Sequence, residues 1–399
     1  MIRGAGGAKA ELAYALAFLG AHLSFMPLFT LLLPRRVEAI DPASPVQSLS
    51  LLLLVGGVTA SLAHIAAGRW SDRWLVARGN RRALIGIGLA LLLMALLALA
   101  VATSMTMLMA TIIAFQVTLN LMFAPLGALL ADHVPDARKG RVAGWLNASL
   151  PLSNAGTFLA AALFPRDGTG GFLVVIALVA ITILPLVAFW PFGRVIDHAS
   201  ESAPQQLAQQ ARRDFVRIWL ARLAIQIGAA FIISYFYLYL GSRFGSTAAS
   251  DRMARLAMLA TIAAFVSAIA AGHWTDARQR RRPPMIVAAA GTVLGLALLA
   301  TDPGWPLLIA GYIAFHAGLT AFLSVDYAMV SQLIGPSERR GELLGYMNLT
   351  NTLPAIIVPA LGLAAGDQAT LVPWPLLFAL AALLSLAAAL LVARVRSVA

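Results

Sequence analysis

Two ionisable side chains, Arg222 and Asp326, stand inside long apolar runs of this sequence, 217–241 and 306–334. A charge in such surroundings is costly unless it is paired or put to use. Counted from the nearer polar flank, both lie roughly 8–12 Å deep at helical rise, so a guanidinium and a carboxylate at like depth can pair. The carboxylate can also take up and release a proton, freeing and recapturing the arginine. A fixed ion pair that merely orients two helices uses the same residues. Around them stand uncharged hydrogen-bonding groups in other apolar runs: His22, Ser24, Gln116, Asn120, Gln226, Tyr312 and His316. Such groups suit a solute rich in hydroxyls or amides, although a lone histidine on an apolar helix can equally be a satisfied packing residue. Tyr312 and His316 are four apart and share a helix face, whereas His316 and Asp326 point about 80° from each other and need not touch.

Enzyme chemistry fails on inventory. No Ser/His/Asp order, metal-spaced histidine set or phosphate-cradling glycine loop is present. Gly4-Ala-Gly6-Gly7 lacks a strand before it and a helix after it. The chain has no cysteine, which excludes disulfides and thiolate sites. No cofactor is expected, and a proton gradient is the natural energy source.

The elements that must hold these residues are membrane helices. Hydrophobic residues make up 60% of the 399 and charged residues only 12%. At about 20 residues per crossing, that composition bounds the chain near twelve spans. Polar or Pro/Gly islands delimit runs at 12–34, 48–68, 83–102, 105–131, 142–165, 171–192, 217–241, 252–273, 285–301, 306–334, 342–365 and 372–393. The longest hydrophilic stretch, 193–216, separates six from six. The expected domains are therefore an N-terminal six-helix bundle (1–192), a cytoplasmic central loop (193–216) and a C-terminal six-helix bundle (217–399).

Of the 29 Lys and Arg, 22 fall on the side of the N-terminus when sides alternate, six fall on the other side, and Arg222 lies within a span. That bias places both termini in the cytoplasm. The net charge of +12 sits in short clusters between apolar runs, not on one continuous face, so nucleic acid is not the partner. The lipid bilayer and a small-molecule solute are. Short loops and an uncleaved first span point to a bacterial inner membrane. Gly291-Thr-Val-Leu-Gly295 permits close helix approach, read as internal packing, and a monomer is expected.

Two stretches recur about two hundred residues apart. Gly68-Arg-Trp-Ser-Asp72-Arg73 returns as Gly272-His-Trp-Thr-Asp276-Ala-Arg278. Pro135 to Gly140, with Gly144 and Asn147, returns at a constant offset as Pro336 to Gly341, with Gly345 and Asn348. A chain that repeats at its midpoint reads as a duplicated half.

The motif from Gly68 to Arg73, followed by Arg81-Arg82, resembles the signature between helices 2 and 3 of the major facilitator superfamily, and Gly272 to Arg282 resembles its echo between helices 8 and 9. Trp74 to Arg78 intervene before Gly79, a departure from the family spacing, and the second copy lacks that glycine. The resemblance covers the whole chain. It implies an all-α polytopic membrane protein with twelve transmembrane helices in two pseudo-symmetric six-helix bundles. It also implies alternating access to a site between the halves, lined by helices 1, 4, 7 and 10, which carry the polar residues above.

On this reading Asp72 and Asp276 are gating residues that could pair with the helix starts near Gly341 and Gly140; a charge cluster serving topology alone is the other use of the motif. Asp326-Tyr-Ala-Met-Val-Ser-Gln332, with Gly341 to Asn348 and Leu353-Pro354, is similar to the glycoside–cation symporter and sucrose-carrier branch. Helix 5 lacks the Gly-Pro signature of drug–proton antiporters. Proton-coupled symport of a sugar-like or related polar metabolite is thus the first expectation. Proton-coupled efflux is the second, and a non-transporting assembly factor or lipid scramblase the third. Tyr235 and Tyr237 are expected near the outer interface, as anchors or vestibule residues.

Overall fold

A computed structural model describes residues 8–134, 142, 145–146, 148–164, 168–190, 209–278, 280–334, 346–347, 349–364 and 373–396. The motif residues Gly140, Gly144, Asn147, Gly341, Gly345 and Asn348 lie outside this set. Among the described residues every regular element is helical. Ten helices among the described residues are long and apolar enough to cross a membrane, and two shorter apolar helices, Ala148–Leu163 and Leu349–Ala364, occupy the fifth and eleventh runs.

The chain divides into two compact units. The first holds Met1–Ala199 and Leu240–Ala254; the second holds Ser200–Tyr239 and Arg255–Ala399. In the first unit the helices are α1 (Ala8–Pro27), α2 (Leu33–Ile40), α3 (Pro45–Arg78), α4 (Arg82–Ala100), α5 (Met105–His133), α6 (Asn154–Leu163) and α7 (Gly168–Phe189). A π turn, Leu28–Leu32, joins α1 to α2 within one continuous span. It begins where Pro27 removes a backbone donor, and Thr30 steadies it by donating to the Met26 carbonyl at 2.7 Å. Helices α8 (Gln209–Phe244) and α9 (Ser246–Arg278) follow. The second unit continues with α10 (Arg282–Ala300), α11 (Trp305–Ile334), α12 (Pro354–Ala364) and α13 (Trp374–Ala393). α12 starts at a proline for the same reason that Pro27 ends α1.

Glycines set the closest approaches. A Cβ on Gly88 of α4 would lie 2.7 Å from the Met122 nitrogen of α5. In the second unit one on Gly295 of α10 would lie 2.4 Å from the Phe315 nitrogen of α11. The Gly291–Gly295 pair thus serves internal packing.

Two boundaries differ from the sequence reading. α8 starts at Gln209, inside the stretch expected as a cytoplasmic loop. Its first turns carry a buried polar group, Asp214, which receives Arg217 at 2.6 Å and the Arg396 backbone N–H at 2.9 Å. Those bonds keep a hydrophilic sequence helical. The stretch from Gly68 to Arg73 and its copy from Gly272 to Arg278 likewise lie in helix, which continues past the apolar runs. Gly68 to Arg73 lies in the last turns of α3, which runs on until Gly79 adopts φ +74° and its N–H caps the Leu75 carbonyl at 2.8 Å. Gly68 sits inside regular helix and cannot end it; the left-handed glycine does.

Helix ends repeat a device across the two units. Arg82, at the start of α4, donates to the Val187 and Ala188 carbonyls, both at 2.7 Å, at the end of α7. Arg282, at the start of α10, donates to the Ala393 carbonyl at the end of α13. Final carbonyls have no partner within their own helix, and a cation there also meets the favourable end of the dipole.

Candidate functional site

In the second unit, Arg222 projects from α8 and Asp326 from α11. The Arg222 Nη1 donates to Asp326 Oδ2 at 2.8 Å, with the Asp326 side chain wholly buried. Arg222 Nη2 donates to Asn351 Oδ1 at 3.2 Å. Gln226, one turn further along α8, donates to the same oxygen at 2.8 Å. Asn351 therefore joins the eleventh run to the pair, and the four residues form one network across three helices. The second oxygen, Asp326 Oδ1, is buried with no hydrogen-bond partner among the described residues.

Tyr312 and His316 do share a face of α11, their rings 4.4 Å apart, and Phe236 of α8 stacks on Tyr312 at 4.6 Å. His316 Nε2 is buried and takes no hydrogen bond among the described residues. No hydrogen bond joins His316 to Asp326. Tyr235 and Tyr237 are both only 2% exposed. They are buried residues, not exposed anchors.

In the first unit, His22 of α1 meets Ser149 of the fifth run at 3.0 Å and the Phe18 carbonyl at 2.9 Å, both through Nδ1. A carbonyl can only accept, so Nδ1 carries the proton. Asn120 of α5 donates to the Gln116 carbonyl at 2.9 Å and faces His64 Nδ1 of α3 at 3.0 Å through Oδ1. Gln116 lies against Gly56 of α3, where a Cβ would stand 3.4 Å from its Nε2. His64, Ser149 and Asn351 join these networks from outside the first, fourth, seventh and tenth runs, where the sequence places the candidate site residues. Polar residues at mid-run in their neighbours were the signal available.

At the motif, Arg81 is buried and serves two carboxylates. It donates to Asp132 at 2.7 Å and to Asp72 at 3.0 Å, and also to the Ser71 hydroxyl. Asp132, a further residue not foreseen, ties α5 to the α3–α4 turn. Asp72 keeps 73% of its side chain exposed. Arg73 is exposed, and no atom stands within 4 Å of a Cβ built on Gly68 or Gly272. Gly272, Asp276 and Arg278 lie in the last turns of α9; the side chains of Asp276 and Arg278 fall outside the described set, as do the helix starts expected to receive Asp72 and Asp276.

The family model described as Major Facilitator Superfamily matches residues 11–251 and 218–398. Among solved structures, a bacterial homologue of the human lysosomal transporter Spinster, inward-facing and occupied, superposes with TM-score 0.69 at 14% identity, covering 97% of both chains. The nucleoside transporter NupG, as a point mutant, gives TM-score 0.69 at 15% identity over 96% of this chain and 99% of its own. A bacterial homologue of the iron transporter ferroportin, inward-facing, gives 0.64 at 17% identity over 98% and 99%. No curated protein matches the sequence. With family matches spanning nearly its whole length, on a fold shared with these carriers, this polytopic membrane chain belongs to the Major Facilitator Superfamily.

Proposed function

We propose that the chain is a secondary transporter that carries a small polar solute by alternating access, coupled to protons as a symporter. On this reading it works as a monomer in a bacterial inner membrane with both termini cytoplasmic. The observation that carries the reading is the buried Arg222–Asp326 pair with its extension to Asn351 and Gln226.

The chemistry runs through the pair. With Asp326 ionised, Arg222 is held between α8 and α11, and neither charge is solvated. A proton on Asp326 removes the negative partner. The Arg222–Asp326 attraction is lost, the contact of Arg222 with Asn351 stays, and the restraint between the two helices weakens. Proton binding thereby biases an equilibrium between two arrangements, as any ligand with unequal affinity for two states must. The polar solute is read from the uncharged hydrogen-bonding groups, His22, Gln116, Asn120, Gln226, Tyr312 and His316, not from the names of the structural neighbours, whose solutes differ.

The deciding experiment uses proteoliposomes under an imposed pH gradient. Asp326→Asn should abolish uphill accumulation of solute while sparing solute exchange at equal pH on both sides. Accumulation by this variant at the wild-type level would reject the coupling role.

A further inference from the structure

One face of the first span is a ladder of rings. Tyr14, Phe18, His22, Phe25 and Phe29 follow one another at intervals of four, four, three and four residues. Their ring centroids lie 6.1, 5.2, 5.3 and 6.5 Å apart in that order. Phe123 of α5 closes the middle, 5.3 Å from Phe18 and 5.8 Å from His22, and Phe115 closes the end, 6.1 Å from Phe29. From Phe18 to Phe29 the strip runs about 16 Å at helical rise.

Packing does not consume this face. Phe18, Phe25, Phe29 and Phe123 are all half-buried, leaving ring surface open. The open surface is not the outer wall of the unit. Leu16, 38% exposed, stands about 160° and 180° around the helix from Phe18 and Phe25. The sides of the span that do pack are elsewhere: Gly20 abuts Thr182 and Ile183 of α7, and Leu23 and Pro27 meet Gly156 of α6.

At the centre of the strip is its one strong hydrogen-bonding ring. The His22 side chain is nine-tenths buried, and its Nδ1–H is spent on the Phe18 carbonyl and Ser149. In the neutral ring Nε2 is then an acceptor, and among the described residues it has no hydrogen-bond partner. Flanked by half-buried aromatic rings, that nitrogen asks for a donor carried on something flat.

We propose that the ladder is a solute subsite that takes a flat-faced ring bearing a hydrogen-bond donor. The ring lies against Phe18, Phe25 and Phe123, and its N–H or O–H points at His22 Nε2. This rests on the transport reading and narrows its solute from any small polar molecule to a ring. Two sources share that chemistry: a heteroaromatic ring with an N–H, and a pyranose with a C–H face and hydroxyls.

The test is equilibrium binding to the purified full chain in detergent, with no gradient, by thermal shift and calorimetry. The probes are uridine, adenosine and hypoxanthine for the first source, glucose and sucrose for the second, and mannitol and glycerol as open-chain controls. At least one ring probe should stabilise the protein while the open-chain probes do not, and the source that binds identifies the ring. Phe18→Leu and Phe25→Leu should each weaken that binding about tenfold, and Phe18→Tyr, which keeps the face, should restore it. His22→Phe, which keeps the ladder and removes the acceptor, should weaken it by a similar factor. The proposal is overturned if no ring probe binds, if open-chain polyols bind as well as rings, or if the leucine variants bind unchanged. Because no proton gradient is present, these results stand apart from the Asp326 experiment. Failure here with pH-driven uptake intact would remove the ring subsite and leave the transporter.

Discussion

Arg222 and Asp326 lie 104 residues apart in sequence and 2.8 Å apart in space, and their bonding is lopsided. The arginine reaches both Asp326 and Asn351, whereas the carboxylate has one oxygen engaged and the other buried without a hydrogen bond among the described residues. Removing one partner is therefore not equivalent to removing both.

Arg222→Ala strands a buried carboxylate, and breaking such a pair costs about 3–5 kcal/mol. Arg222→Met with Asp326→Leu removes both charges and should recover most of that loss. Thermal unfolding followed by tryptophan fluorescence reads the difference. Equal midpoints for the single and double variants would show that the pair carries no unmet charge.

Asn351 already stands within bonding distance of Arg222, at 3.2 Å. A carboxylate placed there should be able to take over the proton. Asn351→Asp in the Asp326→Asn background should restore part of the pH-driven accumulation lost in Asp326→Asn. No recovery in proteoliposomes would mean that position 326 itself, not a carboxylate near Arg222, is required.

The two carboxylates on Arg81 should differ in weight. Asp72 is 73% exposed, so losing it costs on the order of 0–1 kcal/mol. Asp132 is only 12% exposed and bridges to another helix, so Asp132→Ala should lower the melting midpoint more than Asp72→Ala. The reverse order in a melting series contradicts the assignment of Asp132 as the structural partner. Asp72→Ala should instead show its effect in transport.

Glycines make a cleaner contrast. A Cβ on Gly318 would stand 2.5 Å from the Thr292 nitrogen of α10, so Gly318→Ala must push α10 and α11 apart and lower stability. A Cβ on Gly68, which sits mid-helix, would meet no packing neighbour within 4 Å, so Gly68→Ala should stabilise by roughly 0.5–1 kcal/mol. A Gly68→Ala variant that melts higher and transports worse would separate a working role for the motif glycine from a packing role.

Much of this was legible in the chain because apolar length and buried charge are strong signals. The duplicated motifs and the run lengths anticipate a two-half helical membrane protein, and the matching depths of Arg222 and Asp326 anticipate their meeting. Polar partners on neighbouring helices were not legible. Asn351, Ser149 and His64 sit in runs where a single polar residue has no periodic signature, and only packing shows which way each turns. The ring ladder was spelled out at three- and four-residue spacing from Tyr14 to Phe29, but bulky rings at that spacing read equally well as core. Their partial exposure is a property of the folded unit. The start of α8 went unread because Gln209 to Arg213 is hydrophilic, and its helicity depends on Asp214 engaging Arg217 and residues near the far end of the chain.

His22 touches Ser149 across the first and fifth spans of one unit, and Gln226 touches Asn351 across the corresponding spans of the other, 204 and 202 positions later. Each unit thus has a polar tie between its first and fifth spans, an imidazole and hydroxyl in one and two carboxamides in the other. In a homodimer every substitution appears twice, so a change that suits one face is forced upon the other. Fusing two copies into one chain lifts that obligation: either side can change its polar groups without its twin having to change with it.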